Sequence, residues 1–331
     1  MIQFGATILG CEGVKLGREE KALFADTQPF GFILFARNIE NPLQVKGLCE
    51  ELREAAGHDA PILIDQEGGR VQRLRAPYWR EWLPPLDHAA RAGTEARHAM
   101  YLRYRLIAHE LREIGIDANC APMVDVAEPE THEFLLNRCY GFDPGTVADL
   151  GRAVSDGLMD GGVLPVLKHI PGHGRARADS HLELPHVHAS EDALISQDFA
   201  PFHALRDLPM GMTAHIVYDA LDSAPATTSP KLMRMIREEI GFGGLIMTDD
   251  ISMQALSGSL AQRSNSSLRA GCDVILHCNG DLSEMREVTE TAGEMTSQAQ
   301  VRAETALAAR RPPVPINPEA LWDELNALIE A

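Results

Sequence analysis

Eight short apolar runs recur along the chain, and most of them lack the alternating pattern of a half-exposed strand. Near-continuous runs of this kind are typical of parallel strands that are covered on both faces. The sequence therefore predicts a largely parallel sheet buried beneath other elements. The predicted strands are residues 5–9, 31–36, 61–65, 118–126, 164–169, 212–218, 244–249 and 274–278.

Segments with helical patterning alternate with these strands. Residues 42–56, 94–114 and 144–160 look helical, and the long amphipathic stretch 94–114 stops at Gly115, a residue type favoured just after a helix. Strands that alternate with helices form βα units. Eight units predict an α/β fold of the (β/α)8 TIM-barrel type. A doubly wound open sheet is the alternative architecture.

The barrel is predicted to form one catalytic domain over residues 1–331, since no separate domain, repeat or low-complexity segment is visible. Near residues 318–330, apolar side chains recur at helical spacing and predict a C-terminal packing helix. These side chains are Leu321, Trp322, Leu325, Leu328 and Ile329.

The amino-acid composition and net charge indicate which kinds of partner the protein can bind. The chain has 331 residues, 45% of them hydrophobic, and its 48 acidic and 30 basic residues give a net charge of −18. Such a surface repels phosphate backbones, so we expect no nucleic-acid or membrane partner. No apolar run approaches the ~18 residues of a membrane span. The N-terminus lacks signal-peptide features, and six cysteines without a CxxC pair indicate reduced thiols and a cytoplasmic protein.

Polar residues fall where the predicted strands end. In a (β/α)8 barrel, the carboxyl ends of the strands carry the catalytic residues. Side chains that end apolar runs are therefore candidates for a site at one mouth of the barrel. They are Asp65, Asp125, Lys168, His169, His215, Asp249 and Asp250.

The segment after the fifth predicted strand is the richest in titratable groups. Lys168 and His169 end the strand, and about fifteen residues without helix or strand pattern follow. Lys168, His169 and His173 fit a phosphate-binding turn, metal ligands or contacts to sugar hydroxyls. Asp179 and His181 fit a carboxylate that orients an imidazole for proton transfer. No role is assigned to His186 and His188.

Two further segments offer charged groups to the same mouth. Asp249 and Asp250 follow a buried strand, and we expect Asp250 to cap a helix that begins near Ile251 while Asp249 faces the mouth. Residues 65–73 form a loop of charged side chains and glycines, and Arg138 presents a rigid fork of donors suited to hydroxyls or carboxylates.

Taken in order, these motifs resemble glycoside hydrolase family 3, in particular its single-domain bacterial β-N-acetylglucosaminidases. The resemblance covers most of the chain, and the combination of KHIPGHG, DSH and TDD at barrel spacing is highly specific. The matching segments are residues 31–38, 64–73, 168–174, 178–181, 212–215, 248–250 and 270–273.

The resemblance implies a retaining exo-hydrolase that removes terminal β-linked N-acetylglucosamine (GlcNAc), with a cell-wall muropeptide, GlcNAc-anhydro-MurNAc with or without peptide, as substrate in peptidoglycan recycling. By motif, Asp249 is the nucleophile and His181 the general acid/base, oriented by Asp179. The remaining matched positions bind the sugar: Asp65, Arg73, Arg138, Lys168 and His169. Arg138 aligns most loosely, because the segment NRCYGFDP departs from the commoner RSFG-like motif of the family. Arg70 or a neighbouring loop residue could share its sugar-binding role.

An imidazole with an ordinary pKa near ~6.5 suits proton transfer in both directions near neutrality, and we expect its loop to close over substrate. No cofactor or metal is expected, and the protein is expected to be a monomer acting on a small carbohydrate. Three alternatives stay open: a phosphorylase on the same fold, a metal-dependent amidohydrolase-like barrel, and a catalytically silent sugar-binding barrel.

Overall fold

The computed structural model describes residues 2–177 and 183–330. Its centre is a sheet of eight parallel strands, in which each strand pairs with its neighbours in the chain and the first strand also pairs with the last. A parallel bridge from Met247 to Val274 joins the two remaining edges. The strands are β1 (Gly5–Gly10), β2 (Pro29–Leu34), β3 (Ile62–Ile64), β4 (Ala118–Asn119), β5 (Leu164–Ile170), β6 (Met210–Thr213), β7 (Leu245–Met247) and β8 (Ile275–His277).

This arrangement confirms the (β/α)8 barrel and excludes the open sheet. Each strand is buried along its whole length, as the continuous apolar runs predicted. Apolar side chains from the strands fill the interior, and a second apolar layer lies between the strands and the surrounding helices.

Helices surround the sheet, and several begin at a side-chain cap followed by proline. Asn41, Asp143 and Ser229 each accept a hydrogen bond from a backbone N–H in the first helical turn. The longer helices are Arg18–Thr27, Pro42–Ala56, Pro85–Ala92, Ala96–Glu113, Pro144–Asp160, Pro230–Glu238, Leu260–Ala270, Leu282–Ala292, Ser297–Ala308 and Pro318–Ile329. Short helical segments are Ala36–Asn38, Gly93–Glu95, Glu133–Leu136, Glu191–Ala193, Leu194–Asp198, Ala200–Ala204 and Ala226–Thr228.

Two predicted strands are too long. The predicted strand 118–126 pairs regularly only over Ala118–Asn119. Pro122 has no N–H to donate, and beyond it a single parallel bridge joins Met123 to Lys168. The predicted strand 212–218 is two separate pieces. Its second piece, Val217–Tyr218, leaves the barrel and pairs with His186–Val187.

The C-terminal segment forms a helix over Pro318–Ile329. Leu325 is fully buried, and the Trp322 ring meets Trp82 edge to face with ring centroids 5.7 Å apart. The helix lies against the Pro85–Ala92 and Ala96–Glu113 helices. Among the described residues, no helix is long and apolar enough to cross a membrane.

Candidate active site

A cavity of about 220 Å³ opens at the carboxyl ends of the barrel strands. Every described residue to which the family resemblance gives a role lines it: Asp65, Arg73, Arg138, Lys168, His169 and Asp249. Asp250 also lines it, whereas the strand-end candidates Asp125 and His215 do not. Asp179 and His181, the predicted acid/base pair, lie outside the described residues. The topology explains the convergence, because parallel strands direct their carboxyl ends to one side of a barrel.

Lys168 is the centre of an ion-pair cluster. Its Nζ lies 2.9 Å from Asp65 Oδ1 and 2.6 Å from Glu67 Oε1, and only 2% of its side chain is exposed. Arg73 holds the other oxygen of Asp65 at 2.9 Å. Arg138 pairs with Glu67 through two parallel bonds of 2.9 Å each. Three cations thus surround two carboxylates at the mouth of β3 and β5.

These pairs keep the cluster charged. Burial alone would raise the pKa of Asp65, but the Lys168 and Arg73 charges outweigh it and hold that pKa well below its usual range. Burial alone would lower the pKa of Lys168, and the two carboxylates raise it instead. Asp65 and Lys168 therefore present fixed charges to a ligand.

Asp125 orients the histidine that follows Lys168. Its Oδ2 lies 2.8 Å from His169 Nδ1, and its Oδ1 accepts the backbone N–H groups of His169 and His173. This contact leaves Nε2 of His169 as the ring nitrogen not bound to Asp125. Burial lowers the pKa of His173 to about 4, so its ring is neutral at physiological pH.

The two acids after β7 have different surroundings. Asp250 accepts bonds from the backbone N–H of Ser252, the Ser252 hydroxyl and the backbone N–H of Cys278. It thereby closes a turn. The prediction of a helix that begins near Ile251 is wrong, because the next helix starts at Leu260, after its cap Ser259. Asp249 accepts the backbone N–H of Asp250 at 2.8 Å and lines the cavity.

His215, another strand-end residue, is fully buried and does not line the cavity. Its Nδ1 lies 2.7 Å from Thr227 Oγ1, and its Nε2 lies 3.0 Å from the Asp250 carbonyl.

Among residues 2–177 and 183–330, no group of three or more His, Cys, Asp or Glu side chains could hold a metal ion.

Comparison with known proteins identifies the scaffold. The sequence profile described as the glycosyl hydrolase family 3 N-terminal domain matches residues 3–308. This chain belongs to glycoside hydrolase family 3. The family predicted from the sequence motifs is therefore confirmed, and the chain is a glycoside hydrolase.

Relatives of this family 3 chain are similar over most of their length. The beta-hexosaminidase of Alkalilimnicola ehrlichii is 36% identical over 282 residues, covering 83% of this chain and 81% of the relative. That of Methylococcus capsulatus is 37% identical over 276 residues, covering 81% and 80%.

Solved structures similar to this chain include other glycoside hydrolase family 3 proteins. NagZ from Neisseria gonorrhoeae superposes with a TM-score of 0.85 at 30% identity, covering 99% of this chain and 97% of that one. A family 3 β-N-acetylglucosaminidase from a Paenibacillus species has a TM-score of 0.86 at 28% identity. The comparison covers 98% of this chain but only 66% of the longer Paenibacillus protein.

Sequence reasoning missed two members of the family 3 site. Glu67 was placed only in a charged loop, although it is 1% exposed and binds both Lys168 and Arg138. Asp125 was noted as a strand end but given no role. An acid that directly follows an apolar run was the signal for Asp125, whereas nothing in the sequence distinguishes Glu67 from a surface acid.

Glu67 is expected to make the enzyme sensitive to acid. Burial alone would raise the pKa of Glu67, but Arg138 and Lys168 lower it from 4.5 to about 2. Because the folded pKa lies below the unfolded one, this stabilisation is complete above pH 4.5 and is lost as the pH falls towards 2. Urea unfolding at each pH should show a flatter acid limb for Glu67→Gln. The same slope in both proteins would contradict the assignment.

His186 and His188 are expected to contribute little to turnover. Both rings contact the carboxylate of Asp219, their side chains are 49% and 80% exposed, and neither lines the cavity. Alanine at either position should leave kcat/KM within a few-fold of wild type, because no contact with the cavity is lost. Steady-state kinetics check this, and a loss as large as that of His181→Ala would show that the wrong histidine is assigned.

Proposed function

We propose that this chain is a retaining exo-β-N-acetylglucosaminidase that removes terminal β-linked GlcNAc. The observation that carries the proposal is the presence of Asp249 in the same small cavity as the Lys168 cluster. A volume of about 220 Å³ suits a single sugar ring rather than an extended chain. The names of the relatives, beta-hexosaminidase and β-N-acetylglucosaminidase, support the same sugar.

The cluster would bind the hydroxyl groups of the terminal sugar. Asp65 has both oxygens fixed by cations, so it can accept hydroxyl bonds without reorganising. Lys168, Arg73 and His169 supply the opposing donors. Arg138 uses Nε and Nη2 for Glu67, which leaves its Nη1 for substrate. We therefore assign the five residues that the motifs predicted to the sugar-binding role.

Hydrolysis would proceed in two displacements. The Asp249 carboxylate attacks the anomeric carbon, the glycosidic oxygen leaves with a proton from the acid, and a covalent glycosyl-Asp249 intermediate forms. In the second step the general acid acts as a base: it takes a proton from water as that water attacks the same carbon, and the Asp249 carboxylate is released. We assign the acid/base role to His181, with Asp179 holding its tautomer, from the sequence motif alone.

His181→Ala is expected to act according to the leaving group. General acid catalysis contributes about 10²–10⁴-fold when the leaving oxygen is basic, as in a sugar. The loss should therefore be of that size for a disaccharide and close to zero in the first step for a dinitrophenyl glycoside. A Brønsted plot of kcat/KM against leaving-group pKa measures this, and equal losses for all leaving groups would remove His181 from the role.

The natural substrate is proposed to be GlcNAc-anhydro-MurNAc, with or without peptide, in peptidoglycan recycling.

We further propose that residues 1–331 act as one catalytic unit that includes the Pro318–Ile329 helix, and as a monomer. A cytoplasmic location stays a prediction from the cysteine pattern. All six thiols are unpaired and buried, which agrees with it.

The test is release of the aryl group from an aryl β-N-acetylglucosaminide in phosphate-free buffer that contains a chelator. Rapid release, with the matching β-glucoside untouched, supports the proposal and dismisses a metal-dependent mechanism. Adding inorganic phosphate separates hydrolysis from phosphorolysis, since a phosphorylase would release GlcNAc-1-phosphate. No release under any of these conditions would reject the proposed activity.

A further inference from the structure

Arg70 differs from the other cations that line the cavity. Lys168, Arg73 and Arg138 each pair with a carboxylate of the cluster. Arg70 is exposed on the rim, and no acidic side chain of the described residues forms an ion pair with it. In a protein with a net charge of −18, this cation at the mouth has no neutralising partner within residues 2–177 and 183–330.

The guanidinium of Arg70 is nevertheless held in place. It lies over the ring of Phe134, 4.1 Å from the ring centroid, and its Nη1 contacts the Phe134 carbonyl at 3.4 Å. Stacking of this kind fixes the plane of the guanidinium and leaves its outer N–H groups free of that contact. Arg70 is therefore a preorganised donor rather than a mobile surface side chain.

The backbone that carries Arg70 is also rigid. Arg70 follows Gly68 and Gly69 in a tight hairpin between Gln66–Gly68 and Val71–Gln72. Both glycines have positive φ, 111° and 56°, and a Cβ at Gly68 would collide with the buried Arg103 guanidinium. Such close contact leaves the hairpin tip little freedom, so the position of Arg70 at the rim is set by the fold.

We infer that Arg70 is a specificity-determining residue that recognises a carboxylate on the leaving-group side of the substrate. The inference rests on the proposed function. The terminal sugar that an exo-enzyme removes would occupy the cavity near Asp249 and the Lys168 cluster, and GlcNAc carries no anionic group. A cation on the rim would instead meet the second sugar. In the peptide-free substrate that sugar carries a lactyl carboxylate, a planar acceptor that suits a guanidinium, whereas an attached peptide converts this group into an amide.

The experiment compares two disaccharides in which a terminal β-GlcNAc is linked to a sugar that bears a lactyl side chain. One has the free carboxylate and the other the carboxamide, which has almost the same shape and no charge. For wild type, kcat/KM should be about tenfold higher for the carboxylate, the size of one charge-assisted hydrogen bond reduced by solvent screening. Added salt should shrink that preference.

Arg70→Gln should erase the preference, and Arg70→Lys should keep part of it, because it keeps the charge without the planar fork. Arg91→Gln, a change of an exposed arginine at the end of the Pro85–Ala92 helix, is the matched control and should retain the full preference. Since each result is a ratio of two substrates on one protein, partial unfolding of a variant cancels.

Two outcomes would overturn the inference: equal kcat/KM for both disaccharides in wild type, or an unchanged preference in Arg70→Gln. If Arg70→Gln does not fold, the Arg70→Lys ratio and the salt dependence in wild type decide the matter. An aryl β-N-acetylglucosaminide in the same assay separates the two proposals. If the aryl substrate is cleaved but the disaccharides show no carboxylate preference, only the role of Arg70 is rejected. If the aryl substrate is not cleaved, the proposed activity is rejected as well.

Discussion

Asp249→Ala is expected to lower kcat by about 10⁴-fold or more, a loss typical of removing a catalytic nucleophile. The alanine cannot form the glycosyl intermediate, and Asp250, the other carboxylate that follows β7, already accepts three hydrogen bonds. Asp250 is engaged by Ser252 and Cys278. Initial rates with an activated aryl β-N-acetylglucosaminide measure the effect, because a good leaving group needs little help from the acid.

Asp250→Asn is the matched control for this prediction. It keeps an acceptor for Ser252 and for the Cys278 backbone, so its kcat should fall by about tenfold or less, with a modest loss of thermal stability. If Asp249→Ala turned over like wild type, or if the Asp250 variant fell equally far, the nucleophile would be wrongly assigned.

Lys168→Met is expected to damage both stability and turnover. It leaves Asp65 and Glu67 with one fewer cation in a site where Glu67 is 1% exposed. Removing one partner from a buried charge cluster costs about 3–5 kcal/mol of folding free energy. kcat/KM should fall by at least about 100-fold, because a preorganised donor for the sugar is lost as well. Urea unfolding and steady-state kinetics measure the two effects.

A double variant distinguishes electrostatics from simple loss of packing. Adding Glu67→Gln to Lys168→Met completes a double-mutant cycle. Because Lys168 and Glu67 attract each other at 2.6 Å, the double variant should lose less folding free energy than the sum of the two single losses. Lys46→Met, on the exposed face of the Pro42–Ala56 helix, controls for the side-chain change itself and should be close to wild type. A double loss equal to or larger than the sum of the two single losses would argue against attraction between Lys168 and Glu67 as a source of stability.

The sequence predicted the barrel because its strands are buried on both faces and therefore read as continuous apolar runs. The helices at 42–56 and 144–160 were predicted with the bounds that the structure has, since each begins with a capping residue followed by proline. The convergence of Asp65, Lys168 and Asp249 follows from the same topology. Parallel strands bring their carboxyl ends together whatever the loops do.

Pairing between side chains could not be predicted in the same way. The bond from Asp125 to His169 joins the segment after β4 to β5, so it depends on how far neighbouring strands are staggered. Glu67 reaches Lys168 because a hairpin with two glycines at positive φ follows β3. The contact of Arg70 with Phe134 joins residues 64 positions apart. Such details come from packing rather than from local pattern.

The proposed two-step mechanism requires Asp249 to form a covalent bond to the sugar. The most direct measurement is to trap the intermediate with a 5-fluoro N-acetylglucosaminyl fluoride, digest the protein and locate the label by tandem mass spectrometry. We expect one sugar per chain, on the peptide that contains Asp249 and on that residue. A label on another residue, or steady turnover of the fluoride without any covalent adduct, would contradict it.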